Sequence, residues 1–192
     1  CIRERSSITA SHYALDSHAV RKREEGRVHL DGFLSYPSAV YTVPYGVMVP
    51  KEVGNLLLPV PVSGSHIGFS TLRMEPCWMA MGQAAGIASA LSIDGKVKVQ
   101  NIDLSRLQDK LVDQKATLMY FKDVDYTSPH FRMVQYLGLR GYLPEWTARL
   151  QEPVDMATLT AWKKLSGKDL PGIEAGKTTR LVALEMIYRK IK

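Results

Sequence analysis

Residues 55–90 read NLLLPVPVSGSHIGFSTLRMEPCWMAMGQAAGIASA, and three textures follow one another along them. Leu56, Leu57, Leu58, Val60 and Val62 form an apolar run of the kind found in strands covered on both faces. Pro59 and Pro61 each remove a ladder donor, so the expectation is a short strand ending near Leu58, then an extended segment. Ser63–Arg73 reads as a loop of hydroxyls and glycines with one imidazole. Pro76 suits the first turn of a helix, where its missing N–H costs nothing. Ala80, Gly82, Ala84, Ala85, Gly86, Ala88 and Ala90 then give a helix of small residues. Gly82 and Gly86 lie one turn apart, which predicts close packing of that face on a sheet. The amides at such a helix start carry the positive end of the macrodipole and favour an anion or a polarised carbonyl oxygen.

Outward from this stretch, residues 1–37 are polar and broken by Gly26, Gly32 and Pro37. Ala39, Tyr41, Val43, Tyr45, Val47 and Val49 alternate with the period of a half-buried strand, and Pro44 makes it an edge strand or interrupts it. On the other side, Asp94-Gly95 reads as a turn. Asp103 can cap a helix bearing Leu104, Leu107 and Leu111. Ser128-Pro129, Asp155 and Thr178 or Thr179 can open three more, carrying Phe131, Val134 and Leu137, then Leu159, Trp162 and Leu165, then Leu181, Leu184, Tyr188 and Ile191. The expected organisation is an α/β piece over 1–95, a connecting helix within 96–117 and a small all-α module over 118–192.

Hydrophobic residues make up 45% and charged residues 23% of the 192, enough for a real core. The net charge of +6 is interspersed, with one cluster at Arg21, Lys22, Arg23 and Arg27. No aromatic–basic interleaving of the kind that stacks bases is present, so the charge reads as a solvated face and no nucleic-acid partner is expected. The two cysteines, Cys1 and Cys77, make neither a disulfide framework nor a metal knuckle, and Cys77 reads as a small buried apolar residue. No run of eighteen apolar residues exists, so no membrane span is expected. The chain opens on Cys1-Ile2-Arg3 without Met, which reads as a start in mid-protein and leaves the compartment open.

The chemistry-bearing groups concentrate just ahead of the small-residue helix. Ser63, Ser65, Ser70 and Thr71 suit turn and capping chemistry as well as ligand contact. His66 sits in a Gly-flanked loop and reads either as a ligand contact or as a structural histidine. His18 has a neighbouring carboxylate, Asp16, that could orient it. His12, His29 and His130 have no partners at metal-ligand spacing, so no metal site is assigned. There is no G-x-S-x-G elbow, and no Ser/His/Asp triad can be assembled.

These residues carry a resemblance. Asp16-Ser17-His18, Val43-Pro44-Tyr45, Val49-Pro50-Lys51 and Asn55-Leu56-Leu57 resemble, in order and spacing, the C-terminal half of a family of bacterial FAD-dependent oxidoreductases. The likeness strengthens at Ser63-Gly64-Ser65-His66-Ile67, Leu72-Arg73-Met74-Glu75-Pro76 and Met81-Gly82-Gln83-Ala84-Ala85, and covers about residues 1–95. Some members of that family carry the inherited label of xanthan lyase. The resemblance implies a glutathione-reductase-like flavoprotein. This chain would then be α/β, the C-terminal part of a Rossmann-like FAD-binding domain, followed by the small all-α module. It implies FAD as cofactor, with Leu72, Arg73, Met74, Glu75 and Pro76 next to the flavin, and Ser65, His66 and His18 on the substrate side. It also implies that Tyr45 and Lys51 belong to the family's strand. The family's G-x-G-x-x-G turn and ribose-binding acid are absent here. The implied partners are therefore the upstream half of the same protein and a small organic or carbohydrate-like substrate.

Two other readings stand beside this one. From Tyr120 onward, Phe121-Lys122-Asp123-Val124, Gln135-Tyr136-Leu137, Arg140-Gly141 and Thr179-Arg180 are similar to S-layer-homology helical modules. That implies a non-catalytic polymer- or cell-surface-binding role. The inherited label implies a polysaccharide lyase using Tyr45, His66 and Arg73 as base and charge neutraliser.

Overall fold

A computed structural model describes residues 4–18, 25 and 26, and 33–192. Cys1, the basic cluster at Arg21, Lys22, Arg23 and Arg27, and His29 lie outside the described residues. The chain divides into two compact units, residues 1–116 and 117–192.

The first unit is mixed α/β with two small antiparallel pairs. β1 (Ser7–Ser11) pairs with β4 (Tyr41–Pro44), Thr9 opposite Val43 and Ser11 opposite Tyr41, with a slip in register between Ser7 and Thr9. β2 (Leu15–His18) pairs with β3 (Phe33–Tyr36), Leu15 opposite Tyr36 and His18 opposite Phe33. The strand expected to continue to Val49 stops at Pro44, which has no N–H to extend the ladder. Tyr45–Met48 wind instead into a 3-10 turn that buries Tyr45 and Met48.

The strand expected at Leu56–Leu58 does not form. Leu58 N donates to Met48 O at 2.8 Å and Ser63 N to Val47 O at 2.8 Å, so the segment runs beside the 3-10 turn on isolated bonds. Pro59 and Pro61, between those donors, have none to add. Leu56 and Val60 are exposed, and only Val62 of the run is buried.

The expected loop 63–73 also differs, because most of it is a helix. α1 (His66–Leu72) is capped by Ser65, whose Oγ accepts from Gly68 N at 3.0 Å. Then comes α2 (Glu75–Gly95), 21 residues long, with Pro76 in its first turn as expected. It packs on β1 and on α3 (Leu104–Asp113), burying Cys77, Met81, Ala84, Ala88 and Leu91. The close approach expected at Gly82 and Gly86 is not found among the described residues. Both are exposed, and a Cβ added at either meets nothing within 4 Å. The intimate packing is made by Ala84 and Ala88 instead, each 0% exposed. α3, capped by Asp103 as expected, belongs with this unit. Leu107 and Leu111 are buried, and Gln108 Nε2 donates to Arg5 O and Ser7 O at 2.7 and 3.1 Å, tying the helix to β1.

The second unit is all-α among the described residues apart from a single bridge between Pro153 and Thr179. α5 (Met156–Ser166) and α6 (Arg180–Ile191) start where the capping signals place them, whereas α4 (Phe131–Leu139) starts after His130, beyond the expected Ser128-Pro129, and has no side-chain cap. Asp155 accepts from Thr158 N and Thr179 from Val182 N. Gly167 ends α5 in the left-handed conformation that a residue without Cβ adopts freely. Phe131, Val134, Leu137, Leu159, Trp162 and Leu184 are buried as their spacing predicts, whereas Leu165 is exposed. Among the described residues no helix is long and apolar enough to cross a membrane.

Candidate functional site

The corner between α1 and α2 is held from the bottom by Asp16, which reaches across from β2. Asp16 N donates to Ser70 Oγ at 3.1 Å, and Ser70 Oγ in turn donates to Ile67 O. The Asp16 carboxylate accepts from Arg73 Nη2 at 2.8 Å and from Tyr13 OH at 3.2 Å. Arg73 is the residue that closes α1, and its guanidinium also lies 6.0 Å from the Tyr13 ring centroid. Two residues earlier, in α1, Thr71 Oγ1 bonds to Tyr41 OH and donates to Tyr13 O, while Tyr41 OH donates to Thr71 O. Burial pushes the Tyr41 hydroxyl's pKa up, so it stays a neutral donor. The side chain of Arg73 is 35% exposed and that of Asp16 17%, so the ion pair contributes about 1 kcal/mol.

α2, like α4, begins without the side-chain cap that the other described α-helices have. Ser65, Asp103, Asp155 and Thr179 cap α1, α3, α5 and α6 with side-chain acceptors. Met74, at the start of α2, has no acceptor to offer. The N–H groups of Glu75 and Cys77 therefore receive nothing from the cap, and Pro76 between them has no N–H. In the same first turn, Trp78 Nε1 is buried with no partner among the described residues. A buried donor without an acceptor is costly, and a long helix with an uncapped N-terminus favours an electron-rich oxygen. The Cys77 thiol is buried, and its pKa is pushed up by that burial, so it is held protonated.

Beside the corner lies a cavity of about 580 Å³, walled by Leu15, Val40, Tyr41, Val43, Thr71 and Leu72. The polar atoms of Tyr41 and Thr71 are engaged with each other and with Tyr13, so the surface they present is apolar. Such a cavity has the size and character of a small-molecule site.

The residues singled out by sequence sit as follows. Leu72, Arg73, Met74, Glu75 and Pro76 are contiguous at the corner, with Arg73 turned toward Asp16. Ser65 acts as a helix cap, and His66 is the exposed first residue of α1. His18 pairs through its backbone in the β2–β3 ladder, and its side chain lies outside the described residues. Asp16, named in sequence as a neighbour of His18 and as part of the Asp16-Ser17-His18 motif, is the hub whose role sequence reasoning missed. Its partner Arg73 is 57 positions away, so no local pattern announces the pair. Tyr45 OH, 8% exposed, donates to Val99 O at 2.9 Å, and burial pushes its pKa up to about 12. It is held as the phenol, the form that cannot serve as a base. Among the described residues no three His, Cys, Asp or Glu side chains gather as a metal site would need.

Comparison with known proteins adds a family. No curated protein and no solved structure matches the chain. A family model described as FAD dependent oxidoreductase matches residues 3–111, more than half of the 192 and almost all of the first unit. The match contains β1 and β4, the Asp16–Arg73 corner and the uncapped start of α2. This chain belongs to the FAD-dependent oxidoreductase family.

Proposed function

We propose that the chain forms the closing part of a flavin site in a glutathione-reductase-like, Rossmann-type FAD domain, with Leu72, Arg73, Met74, Glu75 and Pro76 at the flavin. The observation that carries this reading is the side-chain-uncapped N-terminus of α2, placed at the end of a braced corner inside the family match. The pyrimidine edge of a flavin is rich in carbonyl oxygens and gains negative charge on reduction. Amides of Glu75 and Cys77 at the positive end of a 21-residue helix are suited to that edge. FAD, when bound, supplies the capacity to accept a hydride from an organic substrate. The chain's own contribution is to orient that edge, to present the apolar wall of Leu15, Val43 and Leu72, and to set Ser65, His66 and His18 on the substrate side. The Gly-rich turn for the dinucleotide phosphates is supplied by an upstream part of the same protein.

The complete protein carrying this chain, purified from a flavin-replete host, is expected to show flavin absorbance and to release FAD on denaturation. A colourless protein that cannot be reconstituted with FAD would overturn the proposal.

For residues 118–192 we propose a polymer- or surface-binding module. The support is an aromatic pair, the exposed Tyr120 and the half-buried Trp146, with ring centroids 6.4 Å apart. Deleting this segment is expected to abolish retention on cell-wall polymer while leaving flavin absorbance intact. Loss of flavin with polymer retention unchanged would make the module a cap on the enzyme instead.

A further inference from the structure

We propose that Asp16 is the positioning residue of the flavin-facing corner, holding Arg73 there as one half of a neutral pair; the inference rests on the function proposed above. Three bonds carry it. Asp16 N to Ser70 Oγ fixes β2 against the body of α1. Asp16 Oδ2 to Arg73 Nη2, at 2.8 Å, fixes β2 against the residue that ends α1 and leads into α2. Tyr13 OH to the same oxygen, at 3.2 Å, ties the carboxylate back to the chain just before β2.

Two consequences follow from this geometry. Mechanically, the strand carrying Ser17 and His18 is locked to the turn carrying Met74, Glu75 and Pro76, so the two sets of candidate site residues move as one piece. Electrostatically, Arg73 contributes little net charge to the corner while Asp16 is ionised beside it, since opposite charges at this distance largely cancel from a few ångströms away. The positive potential at the flavin edge is then left mainly to the amides of α2, which cannot be titrated. Asp16 thus keeps a cation next to the site for its hydrogen bonds without letting it dominate the field.

The test is a double-mutant cycle with Asp16→Asn, Arg73→Gln and the combined variant, read in two ways on the complete, FAD-loaded protein. The first reading is the unfolding equilibrium in urea. Each single change should raise the unfolding constant about fivefold, and the double variant should cost much less than the product of the singles. The second is the flavin midpoint potential. Asp16→Asn, which leaves Arg73 unneutralised, should shift it upward; Arg73→Gln, which leaves the carboxylate unneutralised, should shift it downward; the double variant should return near wild type. Additive effects on the unfolding equilibrium overturn the inference, and so does a double variant whose potential stays displaced from wild type. Coupled stability with an unmoved potential in all three variants also overturns it, because the pair would then be a brace and nothing more. A wild-type protein that takes up no FAD defeats the function proposed above and this inference with it. That outcome is recognised before any variant is made.

Discussion

Single buried polar groups do much of the holding in this chain. Gln135 is 0% exposed and sits in α4. Its Oε1 accepts from Leu118 N and Met119 N, and its Nε2 donates to Met119 O. Gln135→Leu would strand three backbone groups in the core, and the expected cost is about 3 kcal/mol or more, measurable as a drop in urea midpoint. Tyr45 is the corresponding group in the first unit. Its folded-state pKa, raised by burial to about 12, lies above the unfolded value near 10. The folded protein therefore holds this proton where the unfolded chain has lost it. The stabilisation is complete below pH 10 and is lost as the pH rises toward 12, by about 2 kcal/mol at most. Tyr45→Phe is expected to lower stability by about 1 kcal/mol at neutral pH and to flatten the fall between pH 9 and pH 11. Neither residue's role could be read from sequence. A glutamine in a helix and a tyrosine in an alternating run look ordinary until their partners, 16 and 54 positions away, are known.

The legibility of the elements divides along physical lines. Helices with caps were legible, because Asp103, Asp155 and Thr179 announce their starts with local chemistry. The strand at Leu56–Leu58 was not, because apolar character alone does not distinguish a ladder from an extended segment, and here the prolines prevailed. α1 was missed because seven residues containing Gly68 and Thr71 have little intrinsic helicity; only Ser65 at the cap hinted at it. The glycines of the helices make a sharp contrast. Gly82→Ala and Gly86→Ala in α2 enter open space, and each is expected to stabilise the isolated chain by up to about 1 kcal/mol. Gly138→Ala in α4 brings a Cβ within 2.9 Å of Phe121 Cζ and 3.2 Å of Met119 Sδ. There the gain in helix propensity is outweighed, and a net loss of about 1–2 kcal/mol is expected in thermal unfolding. If another part of the complete protein covers the outer face of α2, the two favourable changes will reverse sign in it. Comparing the chain with the complete protein reads this directly.

At the scale of the molecule, the family match lies within the first unit. The family match ends at residue 111 and the first unit at 116. The second unit has its own buried set, including Phe131, Leu137, Leu143, Trp162 and Leu184, and Trp162 Nε1 finds its acceptor in Tyr142 O within the same unit. Residues 117–192 expressed alone are expected to unfold in one cooperative transition with Trp162 fluorescence and backbone signal coincident. Non-coincident transitions would show that this unit depends on the first. The corner at the site was visible only as a string of suggestive residues, because what makes it a corner is the reach of Asp16 from β2.

The bare start of α2 has one more use. An amide that no acceptor protects exchanges its hydrogen with solvent readily, while an amide bonded to a ligand does so slowly. Pro76 removes the intervening signal, so Glu75 and Cys77 form a two-residue reporter at the head of the helix. In the complete protein, adding FAD should slow deuterium uptake at these two amides and leave those near the side-chain-capped start of α3 unchanged. That comparison locates the flavin edge by position, whatever the colour of the sample.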